Sequence, residues 1–339
     1  MPSYSHSYNM PARKKYLRSM IRLFLDNRTA VLLILPFLIG LYILGGVLGM
    51  EPLVANRVNG LFFSQYTTSE FWSYLIQSFL LLLNAVFLNA VFNSHEFLDK
   101  NTYIISLIYV VLTPMFVPLN QSSPVLIAHF FVIATLGVLF HLKPNSDGKI
   151  TIFNAGILMS IALILLPYLT ALIPIMLVMI VIIRPFNWRE FFICLAGLSV
   201  PLIYYFSYLF LNNQFEFTWE FPVWQMHDYQ NSLHLYPVVI IYLILLFISL
   251  LSLSARLLKS SLRLKKQIQM LGLFLSFLFI LGFVDFYFSG SIYYLSLAII
   301  PLSYFLAYAF LSKRSGILAN IFFYIALLYS FVKFFLIFE

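Results

Sequence analysis

The chain has 339 residues, of which 62% are hydrophobic and only 9% charged, and its mean hydropathy is +0.94. Soluble domains carry roughly 25% charged residues, so this composition excludes an ordinary water-soluble globule. The net charge of +8 does not mark a nucleic-acid binder, because the basic residues sit in short segments at the ends of apolar runs, where membrane orientation requires them.

The first 28 residues form a basic arm with no cleavable-signal pattern. Within it Leu17, Met20, Ile21 and Phe24 share one helical face, and Lys14, Arg18 and Arg22 fall on the other. That pattern predicts a helix lying on an anionic cytoplasmic leaflet. Eleven apolar segments follow, at 29–50, 71–93, 102–118, 124–142, 151–167, 168–183, 190–211, 237–256, 268–285, 292–311 and 316–337. Each approaches the ~17–25 residues that a helix needs to cross the hydrocarbon. The run 151–183 is too long for one crossing and has cations at both ends. It is therefore expected to fold back near Leu166-Pro167-Tyr168, where proline interrupts the helical ladder. The run 102–142 is expected to turn likewise at the uncharged stretch 118–124.

With this tracing, 18 of the 20 Lys and Arg lie on one side and only Arg57 and Lys333 on the other. The positive-inside rule then places the N-terminus in the cytoplasm and the C-terminus outside. The expected fold is all-α, a polytopic transmembrane bundle of about 11 helices. One membrane domain, 29–339, follows the arm 1–28. The bacterial inner membrane is the expected location.

Ionisable residues are scarce inside the apolar segments. His129, Asn84, Asn89, Asn154 and Asn320 are read as partners for neighbouring helices. Cys194, the single cysteine, cannot form an internal disulfide and is read as a small buried residue. Chemistry is concentrated in two external loops. Loop 51–70 starts with Glu51 at the exit of the first helix and carries Arg57. In loop 212–236, Phe215, Phe217, Trp219 and Phe221 alternate with Glu216, Thr218 and Glu220, and Trp224, His227, Asp228 and His234 follow. Two readings compete: an aromatic belt at headgroup depth, or a platform for a sugar or lipid headgroup. In the platform, Trp219 and Trp224 stack while Glu216, Glu220, His227, Asp228 and His234 hydrogen-bond. No pair has the spacing of a metal site.

Two cytoplasmic turns complete the inventory. Asn93-Ser94-His95-Glu96-Phe97-Leu98-Asp99-Lys100 offers one weak acid–base or metal triplet. In Arg184-Pro185-Phe186-Asn187-Trp188-Arg189-Glu190, Asn187 is expected to cap the next helix, with Glu190 at the positive end of its dipole. Arg184 and Arg189 are both expected to reach phospholipid phosphate.

The stretch from Ile152-Phe153-Asn154-Ala155-Gly156 to Arg184-Pro185-Phe186-Asn187-Trp188-Arg189-Glu190-Phe191 resembles an uncharacterised family of bacterial multi-pass membrane proteins. The order of elements is also similar to the GT-C membrane glycosyltransferases, which use polyprenyl-phosphate-linked sugars. That resemblance implies a catalytic carboxylate at Glu51 and a phosphate contact at Arg57, although loop 51–70 is short and lacks an Asp. It implies membrane lipids and a lipid-linked sugar as partners, and no cofactor is specified. Two other classes fit the sparse polar inventory: a non-enzymatic subunit or scaffold working with other envelope membrane proteins, and a carrier of lipids or lipid-linked intermediates.

Overall fold

The computed structural model describes residues 20–25, 28–48, 70–95, 97, 101–117, 119, 123–144, 147–212, 235–257, 260–289, 293–311 and 316–332. Among the described residues there are twelve α-helices, two 3-10 turns and no strand. The helices are α1 (Met20–Leu25), α2 (Ile34–Leu48), α3 (Glu70–Ser94), α4 (Ile104–Phe116), α5 (Val125–Phe140) and α6 (Lys149–Leu165). They continue with α7 (Leu172–Ile183), α8 (Trp188–Leu211), α9 (Leu235–Leu257), α10 (Leu262–Ser289), α11 (Tyr293–Leu311) and α12 (Gly316–Val332). The 3-10 turns are Thr29–Leu33 and Pro167–Ala171.

The fold is all-α, and α2 to α12 fall in order on the eleven apolar segments. Four stretches are long and apolar enough to cross a membrane by themselves: Phe71–Ser94, Trp188–Leu211, Leu262–Phe288 and Tyr293–Phe310. Together with the composition they identify a membrane protein.

Helices α4 and α11 form the centre. Every residue of α4 is buried, as is every residue from Ser296 to Phe310 in α11. At 13 residues α4 is only about 20 Å long, shorter than the hydrocarbon, and it is surrounded by protein. Around this pair, α6 packs against α5 and α8, while α7 packs against α10. The α6–α8 approach is the closest of these, because a Cβ on Gly197 would lie 2.3 Å from the Phe153 carbonyl oxygen. Small residues let helix backbones meet in this way where water supplies no driving force.

Three local features differ from, or sharpen, the sequence expectation. The described part of the arm, α1, packs on α4 with Ile21 and Phe24 buried, and the Tyr103 amide donates to the Phe24 carbonyl at 2.8 Å. Of the apolar face expected on the leaflet, Ile21 and Phe24 are thus spent in the protein core. The stretch between the apolar segments 237–256 and 268–285 is partly helical, because α10 starts at Leu262. Ser261 Oγ accepts the Leu264 amide at 3.3 Å, a cap that extends the helix through the basic residues. The break in 151–183 falls where expected. Leu166 is extended and Pro167 opens the 3-10 turn that leads into α7.

The helix ends collect at two poles. At one, the Asn93 amide donates to the Thr102 carbonyl, linking the end of α3 to the start of α4. Gln267 and Arg263, at the start of α10, donate to the Phe140 carbonyl at 3.1 and 3.4 Å, and Lys266 donates to that of Ile183 at 2.9 Å. The last carbonyls of α5 and α7 are otherwise orphans, and the cations suit the negative ends of those helices. Tyr308, near the end of α11, donates to the Phe97 carbonyl at 2.8 Å. At the opposite pole Gln77 donates to the Ser123 carbonyl at 2.9 Å, and the Tyr294 hydroxyl donates to the Tyr168 carbonyl. The returns through 102–142 and 151–183 are therefore real: each run starts and finishes at the first pole. Lys143, Lys149, Arg184, Arg189, Arg263, Lys265 and Lys266 all sit at that basic pole.

Candidate functional site

Glu51, Arg57, Glu216, Trp219, Glu220, Trp224, His227, Asp228 and His234 all lie outside the described residues. So do Glu96 and Asp99 of the triplet with His95. The helix ends that carry segments 51–70 and 212–236, the two expected outside, are described. α3 runs from Glu70 to the basic pole, and α8 runs from that pole to Leu211. In α9 the Ser249 hydroxyl donates to the Phe305 carbonyl of α11, so α9 is laid along α11. Glu70, Asn212 and Leu235 are thus helix ends at the pole opposite the cations.

That pole has an aromatic and acidic surface of its own. The Tyr168 and Tyr293 rings stack with centroids 5.5 Å apart, and the Asp285 carboxylate lies within electrostatic reach of the Tyr293 and Tyr294 hydroxyls. Tyr168 and Tyr287 are exposed. Composition alone offered no sign that three different helical segments bring these residues together.

The interior polar groups tie helices to one another. The Tyr109 hydroxyl meets His129 Nδ1 at 2.8 Å, and His129 Nε2 meets Ser296 Oγ at 3.3 Å. Ser296 already donates to the Tyr293 carbonyl, so His129 is assigned as the neutral tautomer that donates from Nε2 and accepts at Nδ1. Asn84 donates to the Leu126 carbonyl at 2.7 Å, and the Tyr42 hydroxyl bonds Ser330 Oγ at 2.6 Å. Asn89 is buried, whereas Asn154 is exposed and Asn320 half-buried. Cys194 is fully buried, as its sequence context indicated. A cavity of about 10 Å³ between Val132, Leu136, Met159, Leu172, Met176 and Phe274 has room for about one water. Among the described residues no group of three metal-ligating side chains occurs.

The basic pole holds the most developed polar network. Asn187 Oδ1 accepts the Arg189 amide at 3.0 Å, the cap expected from sequence, and Glu190 follows in the first turn of α8. Arg184 is turned inward. Its guanidinium pairs with Glu190 at 2.8 Å and donates to the Lys143 carbonyl at 3.0 Å, with side-chain exposures of only 13% and 7% for the ion pair. Gly148 makes room for it, since a Cβ there would lie 2.7 Å from an Arg184 terminal nitrogen. Of the two arginines expected at lipid phosphate, this one is committed to the protein. Nearby, His95 and His141 approach to 3.3 Å between Nε2 and Nδ1. Each Nδ1 donates to its own helix, to Val91 and Gly137 respectively, at 2.8 Å. Burial pulls His95 below its ordinary value, and the charges of His141 and Arg263 act in the same direction.

A family model described as a family of unknown function, DUF6427, matches residues 53–338, and the chain belongs to that family. Neither a curated protein nor a solved structure matches it.

Proposed function

We propose that this member of the DUF6427 family is a multi-pass protein of the bacterial inner membrane whose working surface is the external face, where it acts as a GT-C-like transferase on a lipid-linked sugar. The observation that carries the reading is the separation of the two poles. The described Lys and Arg gather at one, while the helix ends bearing the acidic and aromatic segments lie at the other. In this reading the basic pole is cytoplasmic. Glu51 activates an acceptor hydroxyl as general base, and Arg57 neutralises the departing polyprenyl phosphate. Trp219 and Trp224 stack on the sugar, and Glu216, Glu220, His227, Asp228 and His234 supply its hydrogen bonds. Glu51→Gln is expected to abolish an envelope-glycan product at unchanged membrane abundance. A normal glycan profile in that variant rules the reading out.

A second reading is favoured by the interior. Asn84, Tyr109, His129 and Ser296 are occupied by bonds between helices, and much of α8 is an exposed apolar surface. A membrane scaffold for other envelope proteins has this character. Copurification in mild detergent at native expression supports the scaffold, and a partner-free monomer counts against it.

A further inference from the structure

The turn into α8 exposes an aromatic group beside exposed cations. The Phe186 and Trp188 rings are 4.9 Å apart, and Phe186 and Phe191 are 4.8 Å apart. Phe186 is 51% exposed and Trp188 67%. Phe192, 67% exposed, carries the apolar surface one turn further along α8. The Asn187 cap and Pro185 fix this turn, so the rings are displayed by a rigid segment. A cluster of this kind suits the headgroup–acyl boundary, where Trp is enriched.

Charge gathers around the same turn. Arg184 bridges the Lys143 carbonyl and the Glu190 carboxylate with one guanidinium, so Lys143 and the start of α8 share a rim. The described charged residues there are Lys143, Lys149, Arg184 and Arg189 against Asp147 and Glu190, leaving a net charge of +2. Glu190 is neutralised internally by Arg184. Lys149 pairs with Asp147 at 3.6 Å in the open, an arrangement of little energetic weight. Lys143 and Arg189 are exposed.

We infer that this rim is a binding site for the headgroup of an anionic phospholipid. Arg189 and Lys143 contact its phosphate, and Phe186, Trp188 and Phe192 hold its glycerol and upper acyl region. The inward Arg184–Glu190 pair sets the turn and does not touch the lipid. Two features select a lipid over a soluble phosphate: the exposed rings lie next to the cations, and they continue into the apolar flank of α8.

The test uses the full chain in nanodiscs of mixed phosphatidylcholine and phosphatidylglycerol. Native mass spectrometry then counts the lipids retained. Wild type is expected to retain phosphatidylglycerol over phosphatidylcholine. Arg189→Gln and Lys143→Gln should each lower that preference about fivefold. Arg189→Lys, which keeps the charge, should hold most of it, and Trp188→Ala should reduce total lipid retention. Equal retention of the two lipids by wild type overturns the site. So does an unchanged ratio in the Gln variants, or displacement of phosphatidylglycerol by millimolar inorganic phosphate. Should a Gln variant misfold, Arg189→Lys and wild type still decide the question.

Discussion

Gly156 of α6 and Gly197 of α8 face each other so closely that a Cβ on Gly156 would lie 3.1 Å from the Gly197 Cα and 2.6 Å from the Cys194 carbonyl oxygen. Backbone meets backbone, so no side chain can yield to relieve a larger residue. Gly197→Ala is expected to push α8 off α6 and destabilise the protein by about 1–3 kcal/mol, the range for overpacking. Gly40→Ala is the control, because a Cβ there meets nothing within 4 Å. Thermal unfolding in detergent should show a clear drop for the first and none for the second.

Arg184 and Glu190 close the α7–α8 turn from inside. Arg184→Gln leaves a buried carboxylate without its cation and frees the Lys143 carbonyl. Loss of one partner of a buried pair costs about 3–5 kcal/mol. Glu190→Gln should be destabilising in the same direction, and the double variant should cost less than the sum of the singles. A double-mutant cycle measured by unfolding reads this coupling directly. Simple additivity would show that the pair is not a unit.

Tyr109→Phe removes the hydroxyl that His129 Nδ1 accepts. Interhelical hydrogen bonds in membranes are worth about 0.6 kcal/mol on average and up to about 1.7, so a modest loss is expected. His129→Phe should cost more than Tyr109→Phe, because it also breaks the contact with Ser296 and introduces a larger ring. Equal stability of all three proteins would remove this network from the forces holding α4, α5 and α11 together.

His95 gives a pH dependence with a definite sign. Its folded value lies below the unfolded one, so the folded protein holds fewer protons between the two. Stability is then fully present above about pH 6.5 and falls as the pH drops through the lowered folded value. His95→Gln should flatten that slope in a melting-temperature profile, while wild type loses stability on acidification.

Much of this architecture was legible from sequence because membrane insertion imposes strong, simple constraints. Apolar runs mark where α2 to α12 fall, Pro167 marks the turn before α7, and Asn187 marks the start of α8. Basic residues mark one pole. Where the reading fell short, the cause was long-range packing. Ile21 and Phe24 have the pattern of a surface helix, and only the fold shows that they pack against α4. Arg184 and Arg189 look alike in a string of letters. Gly148 and Glu190 decide that one turns inward and the other stays in the open. The Tyr168–Tyr293 stack joins residues 125 positions apart, and no local signal announces it. Glu51 and the 212–236 aromatics rest on residue chemistry and on the helix ends that carry them.

The assignment of sides is tested most directly by labelling with a membrane-impermeant maleimide. Cys194 is the chain's single cysteine and is buried, so Asn212→Cys and Lys149→Cys can each be placed in a Cys194→Ala background. Asn212 ends α8 at the pole opposite the cations, and Lys149 begins α6 at the basic pole. Asn212→Cys should be labelled in intact cells and Lys149→Cys only after permeabilisation. The reverse pattern would contradict an external working face.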